Sequence, residues 1–204
     1  MDLQCSVSRG SCARAERLRH NCVVARTWLS IEVELVSGRG RPFWPRPGRV
    51  FAAARSHTFL DLADAINVGF GRWDLSHLSE FILDDGTQIS HADPGYDPTE
   101  GTIEIRDEKL SRLALEERFA YTFDLGDRWT HLCTVGPEKI DPESTFGVVP
   151  ELPTPYFGWG TLPDQYGRRW SADDGEGGSV PPDTRGGDLP PLLPEWGWLW
   201  RVPD

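Results

Sequence analysis

The stretch YTFDLGDRWTHL, residues 121–132, decides how this chain is expected to fold. Aromatic residues alternate with other residues on both sides of Gly126, which is typical of two half-buried β-strands joined by a turn. A three-residue loop, residues 124–126, would place Gly126 in the left-handed conformation that closes a type I turn with a bulge. Asp124 would accept a hydrogen bond from the backbone N–H two residues on. The stretch therefore predicts a β-hairpin in which Asp124 and Gly126 are structural.

The length of this loop fixes the pairing of the two strands, because residues directly opposite each other point to the same face. From the turn outward, the predicted pairs are Phe123 with Asp127, Tyr121 with Trp129, and Phe119 with His131. A two-residue loop would separate the aromatic side chains onto opposite faces, so we prefer the longer loop. The hairpin then has one aromatic face, and Asp127 and His131 lie at the margin of that face.

The residues before the hairpin predict two strands and a helix. Residues 27–36 alternate apolar and polar side chains, and residues 49–56 provide a returning strand. Apolar residues then follow at helical spacing, with Ser56 or Thr58 as the N-cap. Further on, the pair Asp85-Gly86 predicts a tight turn between two short strands.

This order of elements predicts an α+β fold: a β-grasp-like mixed sheet with one main helix, plus a Pro/Gly-rich C-terminal extension. Residues 1–26 are expected to be a disordered leader, residues 27–136 the α+β core domain, and residues 137–204 an extension that packs partly on the core. Three tryptophans alternate at the end of the extension, Trp196, Trp198 and Trp200. We expect them to dock on the domain's own sheet, and the alternative is that they contact a partner.

Charge and cysteine content limit the classes of function. The net charge is -11, with a balance of +6 up to Arg55 and -17 beyond it. An acidic body makes nucleic acid an unlikely partner overall, although the basic leader and the loop arginines leave that alternative open. The four cysteines contain no CxxC pair, which favours reduced thiols and a cytoplasmic location. No stretch approaches the length of a membrane-spanning helix, so no membrane association is predicted.

The hairpin by itself cannot hold a metal ion. Asp127 and His131 are four residues apart on one predicted strand, roughly 13 Å at about 3.3 Å per residue. Metal ligands must approach one ion to about 2 Å, so a second segment has to contribute. His77 is the best candidate, because WDLSHLSEF places a Trp, an Asp and a His before a strand. No cofactor is predicted, and a divalent metal held by His77 with Asp127 or His131 is the alternative.

Two motifs together resemble those of the plasmid pRiA open-reading-frame-three-like family, whose members also occur as passengers of insertion elements. The first motif is matched by Trp73, Asp74, His77, Leu78 and Phe81, and the second by Tyr121, Asp124, Gly126, Asp127, Trp129 and His131. Phe123 stands where the family usually has Tyr, and Leu125 where Phe is common. The resemblance spans roughly residues 28 to 178. It implies an α+β fold and no established reaction.

Three functions follow as hypotheses. The first is a cytoplasmic binding or interaction module, not an enzyme, whose aromatic surface takes an unknown protein or small molecule. Its candidate binding residues are Trp73, Asp74, His77, Tyr121, Asp127, Trp129 and His131. The second is a metal-assisted hydrolase or nuclease that uses His77 with Asp127 or His131. The third is a nucleic-acid accessory protein that binds through its basic N-terminal part.

Overall fold

The computed structural model describes residues 28–91 and 101–168. The predictions for the leader and for the tryptophan-rich end lie outside these residues. The described strands are β1 (Trp28–Gly38), β2 (Arg41–Pro42), β3 (Gly48–Ala54), β4 (Ser79–Ile82), β5 (Gln88–Ser90), β6 (Ile103–Glu104), β7 (Arg118–Phe123), β8 (Trp129–Ile140) and β9 (Thr154–Trp159). The described helices are α1 (Phe59–Gly69), α2 (Pro142–Phe146) and a 3-10 turn at Leu110–Arg112. Neither α-helix in these ranges is long and apolar enough to cross a membrane.

Within the described ranges all nine strands belong to one sheet, in the order β6-β5-β4-β7-β8-β1-β3-β9, and β2 pairs with the end of β1. The pair β5–β6 is parallel and its neighbour β4–β5 is antiparallel, so the sheet is mixed. This confirms an α+β fold that is mostly sheet, whereas the β-grasp likeness stays a prediction. The boundary predicted between residues 136 and 137 falls inside β8, and β9 joins the sheet beside β3.

The strands before the hairpin form where alternation predicts them. Strand β1 places Ile31, Val33 and Leu35 in the core, while its alternate positions are more accessible. It pairs antiparallel with β3, as predicted, and on its other side with β8. The long pairing with β8 puts the hairpin strand next to the first strand of the domain.

Helix α1 begins at a capping box and packs its apolar face on the sheet. Thr58 accepts a hydrogen bond from the Asp61 N–H, and Asp61 accepts one from the Thr58 N–H. This reciprocal pair satisfies two N–H groups that a helix start leaves free. The Tyr121 hydroxyl on β7 donates to Asn67 Oδ1 at 2.9 Å. That bond fixes the last turn of α1 over the hairpin.

The hairpin forms, but its loop is longer than predicted. Phe123 pairs with Trp129 and Tyr121 pairs with His131, so the loop spans residues 124–128. The predicted register was wrong by two residues. A shift of two preserves alternation, so the predicted aromatic face is retained while Asp127 leaves the strand and enters the loop.

The local roles inside this loop also differ from prediction in one respect. Gly126 does not occupy the left-handed region; Asp124 (φ 56°) and Arg128 (φ 53°) do. The predicted cap is confirmed, because Asp124 Oδ1 accepts from the Gly126 N–H at 3.0 Å and from the Asp127 N–H at 3.1 Å. Asp and Asn tolerate the left-handed region better than most residues, which suits Asp124 to this position.

Candidate functional site

The aromatic face of the hairpin is the core of the domain, not a surface. Tyr121, Trp129 and His131 are 0%, 2% and 1% exposed. They were predicted as binding residues, but in this fold their side chains are covered by neighbouring elements. These three side chains therefore do not form part of an exposed aromatic surface.

His131 is held neutral inside this core. Its ring lies 4.7 Å from the Phe70 ring, and Nδ1 lies 3.3 Å from the Tyr121 carbonyl oxygen. Burial, with a smaller contribution from the charge of Arg72, lowers the pKa of His131 to about 3. A neutral imidazole in this setting donates from Nδ1 to the carbonyl and packs as an aromatic ring.

Asp127 lies on the surface and its partner is an arginine. Its carboxylate is 3.4 Å from Arg39 Nε, and its backbone oxygen accepts from the Arg39 N–H at 2.7 Å. These contacts join the tip of the hairpin to the turn after β1. Within the described residues, Asp127 and His131 make no hydrogen bond, ion pair or ring contact with His77.

The structure instead brings together four side chains that we call the His77 cluster: Asp74, His77, Asp124 and Tyr166. His77 Nε2 lies 2.7 Å from the Tyr166 hydroxyl and 3.2 Å from Asp74 Oδ2. His77 Nδ1 lies 3.5 Å from Asp124 Oδ2. The Tyr166 hydroxyl donates to Asp74 Oδ2 at 2.9 Å, so its own proton is used and the short contact leaves Nε2 as the donor to Tyr166.

The pKa values of two groups of the His77 cluster are shifted in opposite directions, by hydrogen bonds at Asp74 and mainly by burial at Tyr166. Bonds from the Ser76 hydroxyl and the Ser76 N–H, together with that from Tyr166, hold the pKa of Asp74 well below its usual range. Burial and the bond to the Asp74 carboxylate raise the pKa of Tyr166 to about 12. At neutral pH the cluster therefore contains an ionised Asp74 beside a neutral phenol.

Backbone contacts fix the three segments that supply the cluster. The Asp124 N–H donates to the Leu78 carbonyl at 2.9 Å, which ties the hairpin turn to the segment before β4. Gln165 is fully buried; its Oε1 accepts from the N–H groups of Trp73 and Asp74, and its Nε2 donates to the Asp74 carbonyl. The segment around Gln165 is thereby held against the WDLSH motif.

Sequence reasoning identified Asp74 and His77 but missed the residues from this third segment. Besides Tyr166 and Gln165 it contains Asp164, whose Oδ2 accepts from the Trp73 indole at 3.2 Å. The same carboxylate pairs with Arg168 at 2.9 Å. The only sequence signal was DQYGR, a cluster of polar and aromatic residues inside a Pro/Gly-rich region. Asp124 had been assigned a structural turn role, and its second carboxylate oxygen also faces His77.

A cleft opens beside the His77 cluster, under α1. Its volume is about 550 Å³, and its polar lining includes Asp64, Ser76, His77, His91, Glu104 and Arg106. Desolvation, followed by the charge of Asp61, raises the pKa of Asp64. A side chain of each charge and several hydrogen-bonding groups thus surround one concave space.

The His77 cluster has acid–base groups but not the arrangement of a metal centre. Among residues 28–91 and 101–168, no group of three or more His, Cys, Asp or Glu side chains is placed to hold a metal ion. His77 is about one-third exposed and lines the cleft. The predicted pairing of His77 with Asp127 or His131 does not form.

Comparisons with known proteins agree with this fold. The crystal structure of a protein of unknown function from Methanosarcina mazei Go1 has a TM-score of 0.50 and 23% identity, over 69% of this chain and 74% of that one. This likeness indicates a common fold and no more. No curated protein matches the sequence. The model of the plasmid pRiA4b ORF-3-like protein family matches residues 29–152, which is more than half of the chain and includes both motifs. The chain therefore belongs to the plasmid pRiA4b ORF-3-like family.

Proposed function

We propose that this protein is a binding module that takes a small polar molecule in the cleft under α1, with His77 as its central contact. The observation that carries the proposal is the His77 ring, which lines the cleft and is about one-third exposed, while the Tyr166 hydroxyl at 2.7 Å from Nε2 fixes its orientation. Small-molecule sites are usually concave and of roughly 300–1,000 Å³, a range that includes this cleft.

The lining of the cleft supports a hydrogen-bonding ligand over an apolar one. Asp64 and Glu104 bring carboxylates, Arg106 brings a guanidinium, and Ser76 brings a hydroxyl. A ligand that displaces solvent from these groups has to replace the hydrogen bonds they make to water, because desolvating a polar group is costly. A ligand with both donors and acceptors satisfies that requirement.

The supports behind His77 favour binding because they fix the ring before a ligand arrives. Tyr166 and Asp74 hold Nε2, Asp124 faces Nδ1, and the Phe123 ring packs edge-on at 5.9 Å. A side chain already fixed in its bound orientation loses little conformational entropy on binding. We also propose a cytoplasmic location, which the buried free thiol of Cys133 supports.

The test compares three forms of the full chain purified from its own host: the natural protein, His77→Ala and Asp85→Asn. Asp85 is a matched control, because it accepts from the N–H two residues on, as Asp74 does, but lies outside the cleft. Native mass spectrometry should detect a small adduct on the natural protein and on Asp85→Asn. The adduct should be lost, or its affinity reduced about tenfold or more, in His77→Ala.

Two outcomes would contradict the proposal. One is an adduct that His77→Ala retains at the same occupancy, which would place the ligand elsewhere. The other is the absence of any adduct, combined with no change in melting midpoint across a panel of amino acids, sugars and nucleosides. Circular dichroism of His77→Ala checks that the variant is folded before either result is interpreted.

A further inference from the structure

Among the described residues, Arg72 and Arg168 each lie over a tryptophan ring, and of these two Arg168 has a carboxylate partner. The Arg168 guanidinium carbon lies 3.8 Å from the Trp73 ring centroid, and the Arg72 guanidinium carbon lies 3.7 Å from that of Trp129. Arg168 donates to Asp164 from Nε at 3.0 Å and from a terminal nitrogen at 2.9 Å. In the Arg168 stack, therefore, a carboxylate at the edge of the guanidinium accepts hydrogen bonds from its N–H groups.

Arg72 lies over the Trp129 ring in the same way, but no described residue accepts a hydrogen bond from its side chain. It is only 4% exposed, and in the described part of the chain none of its three side-chain nitrogens has a hydrogen-bond partner. Burial lowers the pKa of Arg72 to about 9, so the group is still charged at neutral pH. A buried charge without a hydrogen-bonded partner is among the most costly features a fold can contain.

The immediate surroundings of Arg72 add another donor. The indole Nε1 of Trp129, in the ring that the guanidinium covers, is buried and has no partner among the described residues. Asp164 is close enough to affect the Arg72 pKa, but its carboxylate oxygens accept from Trp73, Tyr166 and Arg168. The region therefore has an excess of N–H donors and a positive charge.

We propose that Arg72 and the Trp129 indole N–H form a binding site for a small oxyanion, a carboxylate or a phosphate group. The stack covers a face of the guanidinium, while its N–H groups lie in the plane and present the two-pronged edge that oxyanions accept. This site is separate from the cleft under α1, because neither Arg72 nor Trp129 lines that cleft. The proposal therefore does not depend on the ligand of His77.

Thermal unfolding of the full chain at pH 7 and constant ionic strength tests the site. Sodium acetate and sodium phosphate are compared with sodium chloride at equal concentration. We expect acetate or phosphate to raise the melting midpoint by about 2–4 °C more than chloride does. Phosphate also stabilises proteins by exclusion from their surface, so the class of ligand is identified by the anion whose extra shift depends on Arg72.

Variants assign that shift to Arg72. In Arg72→Met the shift should disappear, while Arg168→Met, the matched arginine on a tryptophan, should keep it. Arg72→Lys retains the charge without the planar fork and should bind about tenfold more weakly. Because Arg72→Met could perturb folding, the natural protein also provides a direct readout. The Arg72 Nε–Hε resonance should move saturably when phosphate or acetate is added.

Three results would overturn the proposal. These are equal stabilisation by chloride, a shift that survives in a folded Arg72→Met, or an Arg72 resonance that does not respond to either oxyanion. In each case Arg72 would not be a binding site for an oxyanion.

Discussion

His77 and His131 each follow a tryptophan and an aspartate in the sequence, yet the fold exposes one side chain and buries the other. His77 precedes β4 in an irregular segment, is about one-third exposed, and lies between Asp74 and Asp124. His131 lies within β8, is 1% exposed and packs against Phe70 and Tyr121. The difference teaches that residue type and spacing suggest a site, whereas the position of the residue in a central strand or in an irregular segment decides how exposed its side chain is.

The largest expected effect is the difference in unfolding free energy between the alanine variants of the two histidines. His131→Ala removes a ring from a packed core, so the free energy of unfolding should fall by about 2–4 kcal/mol. His77→Ala removes partly exposed contacts and should cost less than about 1 kcal/mol. Urea denaturation followed by circular dichroism measures both values. Equal losses of unfolding free energy in the two variants would contradict the conclusion that His131 is a core residue and His77 is not.

The second effect is the pH dependence that His131 gives to stability. The pKa of His131 is about 3 in the fold, against an ordinary value of 6.5 for an exposed imidazole, so the unfolded chain binds more protons between these values. The stabilisation is fully present above pH 6.5 and is lost as the pH falls toward 3, by at most about 1.4 kcal/mol for each pH unit. His131→Gln should show a shallower fall in urea denaturation between pH 7 and 4. An unchanged slope would mean that other groups cause the dependence.

The smallest effect concerns the acid–base balance of the His77 cluster. Asp74→Asn removes the charge and alters the hydrogen bond that help to raise the pKa of Tyr166, so that pKa should fall from about 12 toward its ordinary value. The fall should be partial, because burial is the larger cause and remains. Tyrosinate absorbance, with Tyr166→Phe to assign the signal, measures it. The matched Asp85→Asn variant should leave the Tyr166 pKa unchanged, and a fall there would mean that the effect is not local.

Sequence patterns predicted the local elements well because those elements are governed by local rules. The N-cap at Thr58, one of the two predicted candidates, the Asp85-Gly86 turn and the hairpin all depend on residues within a few positions of one another. The hairpin register was less determined. Alternation excludes a shift of one residue but allows a shift of two, so the loop length could not be fixed from the pattern alone.

The candidate site was harder to predict, because its members meet across long stretches of chain. The WDLSH motif suggested His77, but nothing local indicates that Tyr166 bonds a histidine 89 residues away. Arg72 was missed for a different reason. An arginine beside a tryptophan in the sequence is usually a surface residue, and only the packing shows that its guanidinium is buried on Trp129.

The bond from the Asp124 N–H to the Leu78 carbonyl has a consequence for any attempt to isolate the site. It is one of the contacts by which the hairpin turn, the WDLSH segment and the stretch around Gln165 hold one another in place. A synthetic peptide containing either motif would lack the other two supports and would have to order its backbone unaided. The two motifs and the stretch around Gln165 therefore form one structural unit, and we expect neither motif to keep its conformation when it is grafted alone onto another scaffold.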